Sequence, residues 1–148
     1  MTLDEPTTDR SVAIVGAGSI GVAWAIVFAR GGRRVRLFDP DPVRLAEAPL
    51  ELRGRLADLE AAKLISEPPA SITSRVEVTD TLDHALDGAV HVQECAPEDL
   101  DTKRAVFADL DRLAPPDATL ASSSSAIGSV STSTSSLVWK SRYMAFFS

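Results

Sequence analysis

The stretch Gly16-Ala17-Gly18-Ser19-Ile20-Gly21 sets three glycines in a G-x-G-x-x-G order. That spacing serves the binding of a diphosphate. The first glycine permits a sharp turn, the second lets an anion approach the backbone, and the third lets a helix pack closely on a strand. A helix starting at this turn would face the anion with unpaired N–H groups and the positive end of its dipole. Ala17, Ser19 and Ile20 complete the turn and stand with the glycines as candidate cofactor-binding residues. Asp39 lies eighteen residues past Gly21. A carboxylate there accepts hydrogen bonds from an adenosine ribose and repels an added 2′-phosphate, which points to NAD rather than NADP. Arg36 and Arg44 are near enough to moderate that preference. The bland alternatives are a turn without a ligand and a capping or turn role for Asp39 before Pro40. A flavin domain uses the same turn.

Such a turn needs a strand before it and a helix after it. "SVAIVGAG" reads as a short buried strand running into glycine, and "SIGVAWAIVFARGG" as a helix ended by Gly31 and Gly32. "RRVRLFDPDP" gives a second strand, broken at Asp39-Pro40 because a residue before proline is steered out of helical geometry. From Val43 to Ile65 leucines recur at mostly helical spacing around Pro49, which predicts two helices or one kinked one. "EPPASITS" reads as a turn-rich connector, "RVEVT" as a strand and "TLDHALDG" as a short helix. "AVHVQECAPE" is the next strand, "DLDTKRAVFADLDRLA" a further helix, and "ATLASSSS" a strand ending in serines. Alternating strands and helices predict an α/β, Rossmann-like, doubly wound domain with a mainly parallel sheet.

The serine-rich run "SSSSAIGSVSTSTSS" is either a spacer or the wall of a site. The stretch before it decides between these. Taken with the glycine turn, "VQECAPEDLDTKRAVFADLDRLAPPDATLASSSSAI" resembles the amino-terminal domain of the L-3-hydroxyacyl-CoA dehydrogenase family, especially its lambda-crystallin-like, L-gulonate 3-dehydrogenase branch. The resemblance runs from about Val12 to Ile127. E-C-A-P-E-D-L followed by Lys103 is more specific than the glycines, and flavoproteins do not usually carry it. The resemblance implies that Ala96, Pro97 and Glu98 line the nicotinamide side of a cofactor groove with Lys103 close by. It also implies that Ser123 replaces an asparagine that contacts cofactor and substrate, and that Ser125 holds the reacting hydroxyl. A serine hydroxyl both donates and accepts, which suits a substrate passing between alcohol and ketone. Without the resemblance, Glu98 and Asp99 read as helix-start acids, Lys103 as a solvated helix residue, and the serines as a polar loop.

In that family a histidine downstream of the serine, in an H-P-x-N-P-like stretch, takes the hydroxyl proton, and a glutamate orients it. Here the corresponding stretch reads "SRYMAFFS", with Phe146 or Phe147 near the place of the histidine. The expected organisation is therefore a tail over residues 1–10, a Rossmann domain over 11–128, and a divergent tail over 129–148 in place of the family's helical carboxy-terminal domain. A shifted reading frame would produce such an ending. The expected function is NAD binding for oxidation of a secondary 3-hydroxyl to a ketone, with little or no turnover by this chain alone. The rivals are a non-catalytic nucleotide-binding or interaction module, and one half of a split enzyme whose partner is a separate carboxy-terminal domain.

Composition narrows the partners. A formal charge of −6 and a pI near 4.8 argue against a phosphate-tracking surface, so no nucleic acid is expected. The longest apolar run, "VAWAIVFA", falls far short of a bilayer span, and no membrane partner is expected. The single Cys95 cannot close an internal disulfide, and "MTLDEPTTDR" lacks the layout of a secretion signal, which fits a cytoplasmic setting. No Cys or His pair has ligand spacing, so no metal is expected. Cys95 reads as a small buried filler, and neither His84 nor His91 has a counterpart in the family's chemistry. Apolar residues of the tail, Leu137 to Phe147, predict self-association unless they fold back locally.

Overall fold

The computed structural model describes residues 10–97, 99–123 and 143–145. Six parallel strands form one sheet in the order β3-β2-β1-β4-β5-β6. The strands are β1 (Ser11–Val15), β2 (Arg34–Phe38), β3 (Val76–Val78), β4 (Ala89–Glu94), β5 (Thr119–Ser122) and β6 (Tyr143–Ala145). The helices between them are α1 (Ser19–Arg30), α2 (Pro42–Ala61), α3 (Pro69–Thr73), α4 (Leu82–Leu86) and α5 (Leu100–Leu113). From β1 the chain winds outward through β2 to β3, then returns to lay β4, β5 and β6 on the other side of β1. The winding direction reverses between β1 and β4. A crevice opens there at the carboxyl ends of the strands, where open α/β sheets bind ligands.

The central strand shows why its sequence is a run rather than an alternation. All five residues of β1 are buried, because helices cover both faces of the sheet. Val12 and Ile14 join one core with Val22, Ala25, Ile26 and Ala29 of α1 and Leu52 and Leu56 of α2. Ala13 and Val15 join a second with Ala85 and Leu86 of α4 and Leu110 of α5. The two-residue repeat of a strand separates these sets.

α2 is one helix of 20 residues with Pro49 inside it, where two helices or a kinked one were predicted. Its start is firmly set: Asp41 accepts from the Val43 amide at 3.0 Å, and Pro42 occupies the first turn. Ala48, Leu52 and Leu56, one helical turn apart, are the buried stripe that keeps the helix continuous past the proline. The connector "EPPASITS" is not all turn. Pro69 at the helix start and fully buried Ile72 convert part of it into α3, and Arg75 braces it by pairing with Glu67.

A second correction concerns the end of the sheet. Residues 129–148 were expected outside the domain, yet Tyr143, Met144 and Ala145 pair with Leu120, Ala121 and Ser122 as β6. Strand addition satisfies the outer backbone groups of β5, a requirement that side-chain patterning does not reveal. The other apolar tail residues lie outside the described residues.

Leu56 of α2 is fully buried in the core on the side of α2 that packs against α1 and α3. Leu56→Ala is expected to lower unfolding free energy by about 2–5 kcal/mol, read from urea denaturation with an unchanged slope.

Candidate functional site: a dinucleotide groove

The three glycines of the turn are required for three different reasons. Gly16 has φ +115°, and a Cβ on it would stand 2.5 Å from the Cys95 carbonyl oxygen. Gly21 lies against Gly16 itself: a Cβ there would come within 1.7 Å of the Gly16 carbonyl oxygen. These two glycines seat α1 on the ends of β1 and β4. Gly18 is different. Its φ is −76°, and an added Cβ would meet nothing closer than Arg44 at 3.9 Å. Among the described residues nothing requires glycine there, and the space it leaves open is the space an anion would take.

Gly18 also caps α1, and having no side chain it leaves the start of the helix without a side-chain cap. Around it runs a groove of about 310 Å³ lined by Gly18, Ser19, Ile20, Arg44, Cys95, Ala96, Pro97, Lys103 and Ser123. Two wider hollows, of about 600 and 620 Å³, lie beside the end of β3 and between the α4–β4 and α5–β5 turns. Neither touches the glycine turn. The smaller groove is the one at the reversal of the sheet, where an uncapped helix start and an open glycine meet.

Asp39 is buried at the end of β2, and both of its oxygens are engaged. Oδ2 accepts from the Ala17 amide and Oδ1 from the Asp41 amide, each at 2.8 Å. The turn role weighed for Asp39 is therefore real. It ties the glycine turn to the β2–α2 turn, and a carboxylate oxygen has capacity for further donors. Ala17 is buried and gives its amide to Asp39, so it stands behind the groove as Gly16 and Gly21 do. Ser19 and Ile20 do line it, Ser19 with its hydroxyl held by Arg55 at 2.6 Å. Arg36 lies elsewhere, paired with Glu77 and with the carbonyls of His84 and Asp87.

Across the groove, Lys103 is no solvated helix residue. It is 5% exposed, and its ammonium donates to Glu94 Oε1 at 2.7 Å and to the Ala96 carbonyl at 3.0 Å. An ammonium has three N–H groups, and Lys103 lines the groove with two of them occupied. Glu94 is the residue that sequence reasoning missed. It is fully buried and accepts from Lys103, from the Ala96 amide at 2.7 Å and from the Ser122 hydroxyl at 2.6 Å. One carboxylate thus joins the ends of β4 and β5 to α5. The signal was an acid closing an apolar strand, with a lysine nine residues on. Asp99 accepts from the Thr102 hydroxyl at 2.5 Å and, capping α5, from the Thr102 amide at 3.0 Å, and these bonds hold its carboxyl below the usual range. Glu98 and Ser125 lie outside the described residues.

Cys95 lines the groove, yet burial pushes its thiol up to about 11. Among the described residues no group of His, Cys, Asp and Glu could hold a metal, and no helix is long and apolar enough to cross a membrane.

A doubly wound parallel sheet with an uncapped, glycine-opened helix start at its reversal defines a dinucleotide-binding domain. Residues 11–145 match the family described as 3-hydroxyacyl-CoA dehydrogenase, NAD binding domain. The chain belongs to that family, and NAD is its cofactor. It is 42% identical over 121 residues to a lambda-crystallin homolog of Bos taurus, covering 78% of this chain and 37% of the relative. With an L-carnitine dehydrogenase of Streptomyces coelicolor the identity is 41% over 129 residues, covering 83% and 38%. Among solved structures, a 3-hydroxybutyryl-CoA dehydrogenase of Escherichia coli superposes with a TM-score of 0.72 at 28% identity, covering 80% of this chain and 25% of that one. The chain thus spans little more than a third of the curated relatives it matches.

Gly18→Ala is expected to leave the thermal midpoint nearly unchanged while weakening NADH at least about tenfold, whereas Gly21→Ala is expected to yield little folded protein. Circular dichroism and nicotinamide fluorescence read the two effects. Cys95, the only thiol, is expected to be alkylated at least about tenfold more slowly in the folded chain than in urea at mildly alkaline pH. Between pH 9 and about 11 the unfolded chain loses a thiol proton that the folded chain keeps. This group therefore lowers stability as pH rises through that window.

Proposed function

We propose that this chain is the cofactor-binding part of an NAD-dependent dehydrogenase that oxidises a secondary 3-hydroxyl to a ketone. Gly18 carries the reading, because its openness has no use in the fold and an evident one for a diphosphate. Bound NAD would supply the hydride acceptor. Gly16, Gly18 and Gly21 shape the turn, Ser19 and Ile20 flank the diphosphate, and Asp39 receives the adenosine ribose. Ala96, Pro97, Glu98, Lys103 and Ser123 serve the nicotinamide half, and Ser125 holds the substrate oxygen. Arg44 stands beside Gly18, where its charge favours the diphosphate.

The buried carboxylate of Asp39 supports NAD over NADP, since a 2′-phosphate would have to approach a residue that accepts two amides and offers no donor. The base for the hydroxyl proton comes from outside this groove. The chain has two histidines, and both are engaged elsewhere: His84 with Glu77, His91 with Gln93 and the Phe28 ring. The parent substrates are small 3-hydroxyacyl thioesters, as in fatty acid metabolism, or 3-hydroxy acids of sugar or carnitine type. The setting is cytoplasmic, and the catalytic base belongs to a helical carboxy-terminal domain, in the same polypeptide or a separate one.

Titration of the purified chain by nicotinamide fluorescence is expected to show NADH binding at least about tenfold tighter than NADPH. Incubation with NAD and 3-hydroxybutyryl-CoA or L-gulonate is expected to give no steady-state NADH. Equal affinity for the two cofactors would remove the role given to Asp39. Robust turnover would place a base within this chain.

A further inference from the structure

β4 sends successive side chains to opposite faces of the sheet, so His91, Gln93 and Cys95 share one face and Val92 and Glu94 the other. The Glu94 face carries the ion pair under the groove. The opposite face carries a second polar chain. Gln93 is fully buried, and its side-chain amide is satisfied at both ends. Oε1 meets His91 Nε2 at 3.0 Å, and Nε2 donates to Ser123 Oγ at 2.8 Å. Behind it the His91 ring rests on Phe28, with centroids 5.2 Å apart. The Ser123 amide is itself fixed by the Glu94 carbonyl at 2.9 Å.

Direction matters in this chain, because an amide oxygen only accepts and an amide nitrogen only donates. With Oε1 toward His91, the imidazole carries its hydrogen on Nε2, and the amide nitrogen is turned to Ser123. Ser123 Oγ must then accept, and its own proton points elsewhere. Cys95 Sγ lies 3.4 Å away, a weak acceptor that retains its own hydrogen. The stronger outlet is the groove that Ser123 lines.

We propose that Gln93 is a positioning residue that holds Ser123 as a hydrogen-bond donor to an oxygen in the nicotinamide half of the bound cofactor, with His91 fixing which end of the amide faces Ser123. This rests on the reading of the groove as an NAD site. Topology supplies the half: β5 and β2 lie on opposite sides of β1, so Ser123 and Asp39 stand on opposite sides of the glycine turn.

The test uses the whole chain and two probes, NADH and ADP, the latter reaching only the glycine turn and the Asp39 end. Ser123→Ala and Gln93→Met are each expected to weaken NADH about five- to tenfold, and the double variant no further. Gln93→Glu can only accept, so it turns the Ser123 proton away from the groove and is expected to match Ser123→Ala. ADP affinity is expected to stay unchanged throughout. NADH affinity at the unaltered level in Gln93→Met or Ser123→Ala overturns the proposal, as does a double variant whose losses add. Loss of ADP together with NADH in the Gln93 variants assigns Gln93 a structural role and overturns it equally. If the unaltered chain binds ADP and NADH no better than a denatured control, the reading of the groove itself falls.

Discussion

The contact between Gly21 and the Gly16 carbonyl sets the geometry on which the groove depends. No side chain fits between them, so α1 lies directly on the end of β1 and its first amides open toward the crevice. Gly16 in turn sits under the Cys95 carbonyl, where a Cβ would stand 2.5 Å from its oxygen, so the turn is pressed against the ends of both β1 and β4. Asp39 then locks this arrangement from the side, because its two oxygens hold one amide in the glycine turn and one in the turn into α2. A carboxylate spent on two backbone amides is already structure before any ligand arrives, so its removal would disturb the turn together with the ribose contact proposed for it.

The opposite wall is built by different means. There the strand ends are joined through buried side chains: Glu94 gathers Lys103, Ser122 and the Ala96 amide, and Gln93 links His91 to Ser123. Buried polar groups are tolerable only when satisfied, and a buried charge only when paired. Both conditions are met here. Their consequence is rigidity, since each group has few alternative partners and moving one would strand another. Lys103 is the clearest case, because its ammonium is anchored by two acceptors before any ligand arrives.

This difference in construction explains what could be read from residues alone. The glycine turn, β1, α1 and the acid at Asp39 were legible because backbone geometry dictates residue type at each place: φ above zero, a missing Cβ, an apolar run buried on both faces. The alternation of strands and helices gave the parallel, doubly wound sheet for the same reason. Glu94 and Gln93 were not legible as site residues. Their roles depend on which strand end meets which helix, and a glutamate or glutamine near a strand terminus has no spacing signature of its own. Lys103 was attached to the groove only through its resemblance to a family, and its burial was not foreseen. α3 and β6 escaped for a related reason, since one depends on Ile72 finding the core and the other on backbone pairing with β5.

The two walls therefore tolerate change unequally. Along the glycine turn a substitution is judged by backbone clearance, and almost any side chain at Gly16 or Gly21 fails for the same steric reason whatever its chemistry. At the β4 and β5 ends it is judged by hydrogen-bond direction, where a swap of nearly equal size, such as methionine for glutamine at Gln93, removes the partner of Ser123 while leaving the packing close to intact. On the proposed reading, binding of the diphosphate half would in this sense be fixed by the fold, because it would rest on amides that every sequence supplies. The nicotinamide half proposed for the other wall would be set by side chains whose partners are themselves side chains, so the chemistry presented there could be retuned without disturbing the glycine turn.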